Sequence, residues 1–296
     1  MAESFLFDSD RGVQTLTGLC CDVRVGWDVQ QTAETLRAIA VRISGEAAEL
    51  ALTVRAESIG EVGTKSTETD VVTAGDRAVE RLVRDRLAEH RPGESVLGEE
   101  EGGANALDGL RWVVDPIDGT VNYLYGYPWY AVSLAAQIDG RSVAGAVVEP
   151  VSGRVFSAAA GQGAYLDGSA LRVSGSDRLD LALIGTGFAY AAQRRAAQAE
   201  AVSGLLGRVR DIRRSGAASL DLCAVAAGWL DGFYEIGLNR WDWAAGALIA
   251  AEAGADVRLP GEQDPDGLGR QALVCAAPGV SGALTEALQE VRAGEV

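Results

Sequence analysis

Apolar residues recur at helical spacing near the start of the chain. Intervals of three and four residues predict a helix over residues 28–59 and a second over residues 73–90, which Pro92-Gly93 would end. The stretch between them, residues 60–70, is polar and rich in Gly and Thr, so it predicts a mobile loop. Two helices with a flexible connection are therefore expected before the first strand.

Short apolar runs bounded by Gly, Pro and Asp predict strands along the rest of the chain. They cover residues 95–97, 111–114, 131–137, 144–148, 155–158, 182–187 and 232–236. Helical spacing returns at residues 192–206, 217–228 and 241–253. Alternating helices and strands without an internal repeat predict an α/β or α+β fold built in layers. Because no Pro- or Ser-rich linker divides the chain, we expect one compact unit over residues 28–296, after an N-terminal extension of residues 1–27.

Composition and charge exclude several classes of protein. The chain has 296 residues, 48% of them hydrophobic, which is enough for a sizeable core, and a formal net charge of −16. So acidic a chain repels nucleic acid and anionic lipid, and neither is expected as a partner. The single histidine, His90, excludes sites that need two imidazoles, such as an HExxH protease.

Cysteine usage and the distribution of apolar residues point to the cytoplasm. The four cysteines show no CxxC spacing, which is typical of reduced thiols: Cys20, Cys21, Cys223 and Cys275. Residues 1–12 carry acidic side chains where a signal peptide would be basic. No apolar stretch approaches the ~20 residues of a membrane span. We therefore expect a cytoplasmic protein with no membrane partner.

The sharpest local signal is the segment Asp115-Pro116-Ile117-Asp118-Gly119-Thr120, directly after an apolar strand. Ligands of α/β proteins usually bind at the carboxyl ends of strands. The proline should turn the chain, so that Asp115 and Asp118 point into one space together with the carbonyl of Ile117. The glycine permits an unusual backbone conformation, and the threonine offers a hydroxyl at a helix start, where N–H groups favour an anion. Clustered hard oxygen ligands suit Mg²⁺ rather than zinc.

Three further acidic positions have ordinary structural explanations when each is taken alone. Gly98-Glu99-Glu100 is typical of a solvated acidic turn, and Asp242 of a carboxylate that stabilises a helix N-terminus. Thr73 and Asp76 fit a capping-box pair that would open the second helix. These positions gain functional meaning only in combination.

Together these pieces resemble the inositol monophosphatase family. The match runs in order along the chain through Lys65-Ser66, Asp70, Thr73-Ala74-Gly75-Asp76, Gly98-Glu99-Glu100, the segment 115–120, Gly216-Ala217-Ala218, Tyr234-Glu235 and Trp241-Asp242-Trp243-Ala244-Ala245-Gly246. It covers about residues 28–290 and is most similar to bacterial members. The resemblance implies a layered αβαβα sandwich of the sugar-phosphatase type. It also implies an Mg²⁺-dependent phosphomonoesterase, commonly dimeric and lithium-sensitive, acting on a small phosphorylated polyol.

The resemblance also implies a set of metal ligands. Glu99, Asp115 and the carbonyl of Ile117 would bind a first Mg²⁺. Asp115, Asp118 and Asp242 would bind a second. Glu99 would share a third, more weakly held ion, so two to three ions are expected.

Catalytic and substrate-binding roles follow from the same resemblance. Asp76 and Thr120 would polarise the attacking water, and Glu99 belongs to the catalytic set as a metal ligand. The residues expected to contact the phosphate or the hydroxyls of the alcohol are Asp118, Gly119, Thr120, Gly216, Ala218 and Glu235. One departure is Ala217, which stands where relatives often have Thr.

Other interpretations of the sequence stay open. Phe5-Leu6-Phe7-Asp8-Ser9-Asp10 mimics the apolar-strand-DxD signature of haloacid-dehalogenase phosphatases, although the apolar run is short. A non-catalytic interaction protein on the same fold is another alternative. Among substrates, fructose 1,6-bisphosphate, histidinol phosphate and phosphoadenosine phosphate compete with inositol phosphate. Glu235, an acceptor for vicinal hydroxyls, favours a polyol over a second phosphate.

Overall fold

Two long helices precede the first strand. The computed structural model describes residues 29–61, 68–103, 108–261 and 263–295. Helix α1 spans Val29–Glu61 and α2 spans Glu68–His90, which confirms both predicted helices. The predicted loop 60–70 is wrong at both ends, since a polar composition is equally typical of a solvated helix. Its centre, residues 62–67, lies outside the described residues, as do the predicted N-terminal extension and the segment 5–10 within it.

The first sheet has seven strands in sequence order. They are β1 (Ser95–Gly98), β2 (Leu110–Asp118), β3 (Ala131–Ile138), β4 (Arg141–Val148), β5 (Val155–Ala159), β6 (Ala164–Leu166) and β7 (Ser169–Ala170). Strands β1 and β2 are parallel, and every later neighbour is antiparallel. Because β1 and β2 are parallel and adjacent, their carboxyl ends meet at one edge, where Gly98 pairs with Val114.

The second sheet has five strands in the order β11-β12-β10-β8-β9. They are β8 (Leu183–Thr186), β9 (Asp211–Arg213), β10 (Gly232–Ile236), β11 (Asp256–Arg258) and β12 (Ala272–Ala276). The other helices are α3 (Thr120–Tyr125), α4 (Ala192–Leu205), α5 (Ala218–Ala226), α6 (Arg240–Glu252) and α7 (Pro278–Glu290), with 3₁₀ turns at Leu179–Leu181 and Ala293–Glu295.

The elements stack in five layers, which confirms the predicted αβαβα sandwich. Helices α1 and α2 share one core cluster with the first sheet, α5 and α6 fill the space between the two sheets, and α4 and α7 cover the far face of the second. Strand β2 shows how the layers are built, because its side chains alternate between faces. Trp112 and Val114 pack towards α1 and α2, while Val113 packs towards the middle helices.

Small residues bring the middle helices close to their neighbours. A Cβ atom on Gly145 of β4 would lie 3.0 Å from the Cβ of Ala245 in α6. One on Gly246 would lie 2.9 Å from the Cβ of Leu222 in α5. This close approach fixes the start of α6, where Asp242 lies, against the first sheet and α5. Among the described residues, no helix combines the length and the apolar character that crossing a lipid bilayer requires.

Candidate active site

The end of β2 is a bulge rather than the predicted turn. Asp115 pairs with Ser133 of β3 and Asp118 with Ala131, so β2 carries one extra residue across the irregularity. Pro116, which has no N–H to donate, can occupy this break in the ladder. The N–H of Ile117 bonds instead to Oδ1 of Asp115 at 3.1 Å. The bulge re-aims both carboxylates while keeping them anchored to the sheet.

Gly119 turns the chain from the bulge into the short helix α3. Its backbone is left-handed, with φ 90° and ψ 39°. An added Cβ would also lie 3.1 Å from the carbonyl oxygen of Trp129 and 3.2 Å from the Cβ of Ala217, so both conformation and space require glycine. The next residue, Thr120, donates its hydroxyl to the Ile117 carbonyl at 3.1 Å.

Glu99 follows the end of β1 and meets Asp115 across the shared sheet edge. The Glu99 side chain is open to solvent on one side, yet enclosure by protein raises its pKa, and a hydrogen bond to Asp115 opposes that rise. Asp115 is fully enclosed, and burial followed by repulsion from Asp118 and Glu99 raises its pKa well above the ordinary range. The two carboxyls are therefore close neighbours across the shared sheet edge.

Asp118 spans from the first sheet to the N-terminus of α5. Its carboxylate accepts the N–H of Ala218 at 3.2 Å, the N–H of Ser219 at 2.7 Å and the hydroxyl of Ser219. Burial raises the pKa of Asp118 to about 6, and these hydrogen bonds oppose the rise. The predicted site residues Asp118 and Ala218 are therefore in direct contact.

Asp242 occupies the first turn of α6, as predicted. Its carboxylate accepts the N–H of Asn239 at 2.6 Å, so it closes the helix start. Burial, followed by repulsion from Asp118, raises its pKa to about 8, with Glu99 and Glu235 adding to the rise. The carboxyl thus serves the helix and faces the other acids at the same time.

Asp76 reaches the site from inside α2, so the predicted capping pair Thr73–Asp76 is wrong. The helix begins at Glu68, two turns earlier than that pair would require. Asp76 is 3% exposed, and its Oδ1 has no hydrogen-bond partner among the described residues. Burial, then repulsion from Glu100 and Glu99, raises its pKa to about 8. Asp76 therefore faces the acidic turn that follows β1.

Glu235 of β10 approaches from the second sheet. Burial, followed by repulsion from Asp221 and Asp118, raises its pKa to about 8, and Arg214 opposes this. Gly187 packs so tightly on this carboxylate that an added Cβ would lie 1.9 Å from Oε2. Gly216 has φ 93°, and a Cβ there would lie 2.5 Å from Nη1 of Arg214. The predicted alcohol contacts Gly216 and Glu235 thus border the Arg214 guanidinium.

These carboxyls lie close enough to influence one another's pKa, but they are not arranged as a complete set of metal ligands. Five of them raise the pKa of at least one other member: Asp76, Glu99, Asp118, Glu235 and Asp242. The sixth, Asp115, is hydrogen-bonded to Glu99. Within residues the structure describes, no three or more His, Cys, Asp or Glu side chains converge so as to hold a metal ion as they stand. Several carboxylate oxygens are instead engaged with N–H or hydroxyl groups, as at Asp118 and Asp242.

Sequence reasoning missed several residues that build this site. Ser219, hidden in a run of small residues, donates twice to Asp118. Asn122 donates to the carbonyls of Trp129 at 2.7 Å and Ser215 at 2.9 Å, and so ties α3 to the turn before α5. The spacing of Asn239 and Asp242, a polar residue three before an acid, is a cap signal that could have been recognised. No local pattern marks Asn122, because its partners are distant in sequence.

The amino-acid sequence matches a family model over most of its length. The model of the inositol monophosphatase family matches residues 29–293. This chain belongs to the inositol monophosphatase family.

Individual relatives agree with that assignment. An inositol-1-monophosphatase of Mycobacterium leprae (strain TN) is 54% identical over 274 residues, which is 86% of this chain and 94% of that protein. The solved structure of Mycobacterium tuberculosis SuhB superposes with a TM-score of 0.76 at 48% identity, covering 88% of this chain and 97% of that one. A protein of Escherichia coli (strain K12) named Nus factor SuhB is 42% identical over 190 residues, 64% of this chain and 71% of that protein.

Proposed function

We propose that this chain hydrolyses inositol 1-phosphate to inositol and phosphate, as an Mg²⁺-dependent phosphomonoesterase. The observation that carries the proposal is the meeting of acidic side chains from α2, the turn after β1, β2 and α6 beside the left-handed turn at Gly119. The names of the mycobacterial relatives support the substrate class.

The side chains of the site fit divalent cations of the Mg²⁺ type. Every candidate ligand is a hard oxygen, which Mg²⁺ prefers. Oδ1 of Asp76 is buried without a partner among the described residues, and the raised pKa values mark negative charge that the protein alone does not neutralise. We assign the ligands as the resemblance implies: Glu99, Asp115 and the Ile117 carbonyl to one ion, Asp115, Asp118 and Asp242 to a second, and Glu99 to a third.

The protein's own groups would orient the reactants. When bound, the ions supply positive charge that lowers the pKa of a water and offsets the charge of the phosphate and the leaving alkoxide. Thr120 donates a hydrogen bond to the Ile117 carbonyl, so its oxygen is free to accept a hydrogen bond from the attacking water. Oδ1 of Asp76 would accept the other hydrogen bond of that water and take up the one proton it loses on attack.

The phosphate and the alcohol would bind on opposite sides of Asp118. We assign the N–H groups of Gly119 and Thr120 to the phosphate oxygens. Gly216, Ala218 and Glu235 would contact the hydroxyls of the polyol. Attack by water without a covalent phosphoenzyme is favoured by the described cysteines, Cys223 and Cys275, because both are buried and burial raises the pKa of each thiol.

The arginines near the site favour a monophosphate. A second phosphate would need its own cationic pocket. The sequence offers four arginines for such a pocket: Arg194, Arg195, Arg213 and Arg214. The first three hydrogen-bond to other groups. Arg214 lies beside Gly216 and faces the carboxyl of Glu235, an arrangement better suited to hydroxyl groups than to a second dianion.

Steady-state kinetics with a substrate panel test the proposal. With Mg²⁺ present, kcat/KM should be higher for inositol 1-phosphate than for fructose 1,6-bisphosphate or histidinol phosphate, and EDTA should abolish turnover of all three. A preference of about 10³-fold or more for either rival would replace the substrate assigned here.

An interaction protein remains the second candidate, because relatives from Escherichia coli and Pseudomonas aeruginosa are named Nus factor SuhB. The same experiment separates the two functions. Mg²⁺ binding without turnover of any phosphomonoester would favour the interaction protein.

We also propose that the chain forms a homodimer through an aromatic face on and after α3. Val121 is 45% exposed, Tyr125 79% and Tyr127 57%, a concentration of exposed apolar side chains within seven residues. The double variant Tyr125→Ser, Tyr127→Ser should therefore shift the molar mass measured by light scattering from dimer to monomer. Leu206→Ser, at an exposed apolar residue outside this face, should leave the mass unchanged. A monomeric wild type would reject the dimer.

Other expectations from the sequence stay predictions. They are the lithium sensitivity, the cytoplasmic location, the number of bound ions and the single catalytic unit over residues 28–296.

A further inference from the structure

Glu80 is a buried charge that the proposed reaction does not use. It lies in α2, one turn after Asp76, and is 0% exposed. Its Oε2 accepts the N–H of Glu100 at 2.8 Å, and its Oε1 accepts the N–H of Glu101 at 3.1 Å. A carboxylate from a helix interior thus holds the two backbone amides that directly follow Glu99.

Arg84 completes a clamp around this turn. It donates to Oε1 of Glu80 from Nε at 2.9 Å and from Nη2 at 2.8 Å. It also donates to the carbonyl of Gly102 at 2.6 Å and to that of Val96 at 3.4 Å. The ion pair therefore holds the chain on both sides of the turn, before Gly98 and after Glu101.

Gly98 provides the space that the clamp needs. An added Cβ would lie 2.2 Å from Oε1 of Glu80, so only glycine lets the carboxylate enter the turn. The N–H of Gly98 bonds to the Gly102 carbonyl at 3.0 Å, which closes the loop on itself. Hydrogen bonds to Glu80 and Gly102 consequently hold the backbone on either side of Glu99. The Glu99 side chain itself stays open to solvent on one side.

We propose that Glu80, supported by Arg84, is a positioning residue that aims the Glu99 carboxylate at the cation site. A carboxylate on an unrestrained turn would lose conformational entropy each time it bound an ion, and the clamp removes that cost before binding. Glu80 needs no contact with ion or substrate for this role. The inference rests on the proposed function only in taking Glu99 as a ligand of Mg²⁺.

Direct Mg²⁺ titration of Glu80→Gln tests the role. Glutamine keeps the volume and one acceptor oxygen, but it loses the charge that holds Arg84 and presents N–H₂ to an amide that needs an acceptor. Isothermal titration calorimetry of the substrate-free full chain should show an Mg²⁺ dissociation constant about 10–100-fold higher than that of the wild type. The Mg²⁺ concentration for half-maximal activity should rise by a similar factor, while KM for inositol 1-phosphate at saturating Mg²⁺ changes little.

Glu94→Gln is the matched control. Glu94 also pairs with an arginine and accepts a second donor, with 2.8 Å to Nε of Arg91 and 2.8 Å to Nε1 of Trp112. It directly precedes β1, at the end of the strand opposite to Gly98. Loss of the negative charge of Glu94 in this variant should lower the free energy of unfolding without changing Mg²⁺ affinity. Equal weakening of Mg²⁺ binding in both variants would mean general destabilisation and would overturn the positioning role.

The remaining outcomes are distinguishable. Unchanged Mg²⁺ affinity in folded Glu80→Gln overturns the positioning role alone. Wild-type Mg²⁺ binding that Glu80→Gln weakens, without turnover of any phosphomonoester, supports the positioning role and overturns the proposed function. If Glu80→Gln does not fold, Arg84→Gln tests the same clamp, because it removes the cation that holds the Glu80 carboxylate and releases the Gly102 and Val96 carbonyls. A folded Arg84→Gln with wild-type affinity then overturns the proposal, and a weakened one supports it.

Discussion

Replacing Asp115 with asparagine is expected to lower kcat/KM for inositol 1-phosphate by about 10³-fold or more. Asp115 is the side chain assigned to both the first and the second ion, and asparagine removes its charge from both. The fold should survive, because the two side chains have nearly the same shape and burial already raises the pKa of Asp115 far above the ordinary range. In EDTA the variant should unfold at a temperature equal to or above that of the wild type.

Glu100→Gln is the control for this result. Glu100 neighbours the assigned ligand Glu99, but its carboxylate lies 3.6 Å from the exposed Arg77 guanidinium, in a pair of little energetic weight. The variant should keep nearly full activity. If Glu100 proved essential and Glu99 dispensable, the assignment of that turn would be shifted by one residue. An active Asp115→Asn would contradict the metal assignment altogether.

Asp221→Asn is expected to change how stability depends on pH. Asp221 is 1% exposed in α5, and burial raises its pKa to about 8, against a hydrogen bond from Ser215 that lowers it. From about pH 4 to pH 8 the folded chain therefore keeps a proton that the unfolded chain has lost, so the free energy of unfolding falls as pH rises. Asparagine has no such proton. Between pH 5 and pH 9 the stability difference should move by about 2–4 kcal/mol in favour of the variant.

Urea denaturation at several pH values, always in EDTA, measures this shift. Titrating groups that do not face Asp221 contribute equally to both proteins and cancel in the difference. Glu235, whose pKa is raised by repulsion from Asp221, adds to the difference in the same direction. Asp211→Asn provides the control, because a hydrogen bond from Arg213 lowers the pKa of that exposed carboxyl and its titration is complete below pH 5. Parallel pH profiles for wild type and Asp221→Asn would show that Asp221 is ionised in the folded state.

The long elements could be predicted because their patterns are local. Residues 28–59 and 192–206 show clear helical spacing. The strand predicted at 111–114 has an unbroken apolar run at residues 112–114, because both of its faces are covered. The strands β6 and β7, of three and two residues, are too short to carry a period. The true start of α2 was missed because polar residues in an exposed helix and in a loop have the same composition.

The candidate site was predicted in its members but not in its geometry. The acidic residues and the left-handed Gly119 are marked by residue type and spacing, and the structure brings them together. The sequence predicts a turn at Pro116 where the structure has a bulge, because only pairing with β3 distinguishes the two. The contacts of Asp118 with Ser219 and of Glu80 with the turn after β1 join residues that are 101 and 20 positions apart. Such contacts leave no trace in local periodicity.

Asp118 also sets a distance. Its backbone belongs to β2, and its carboxylate accepts the first N–H groups of α5. The length of one side chain therefore separates the first sheet from the start of α5 at Ala218 and from Gly216, which precedes it. The side chain therefore fixes the spacing between the end of β2 and the start of α5. Asp118→Glu would lengthen this side chain by one methylene. The groups assigned to the phosphate and the groups assigned to the polyol would then no longer have the spacing that one bound molecule needs.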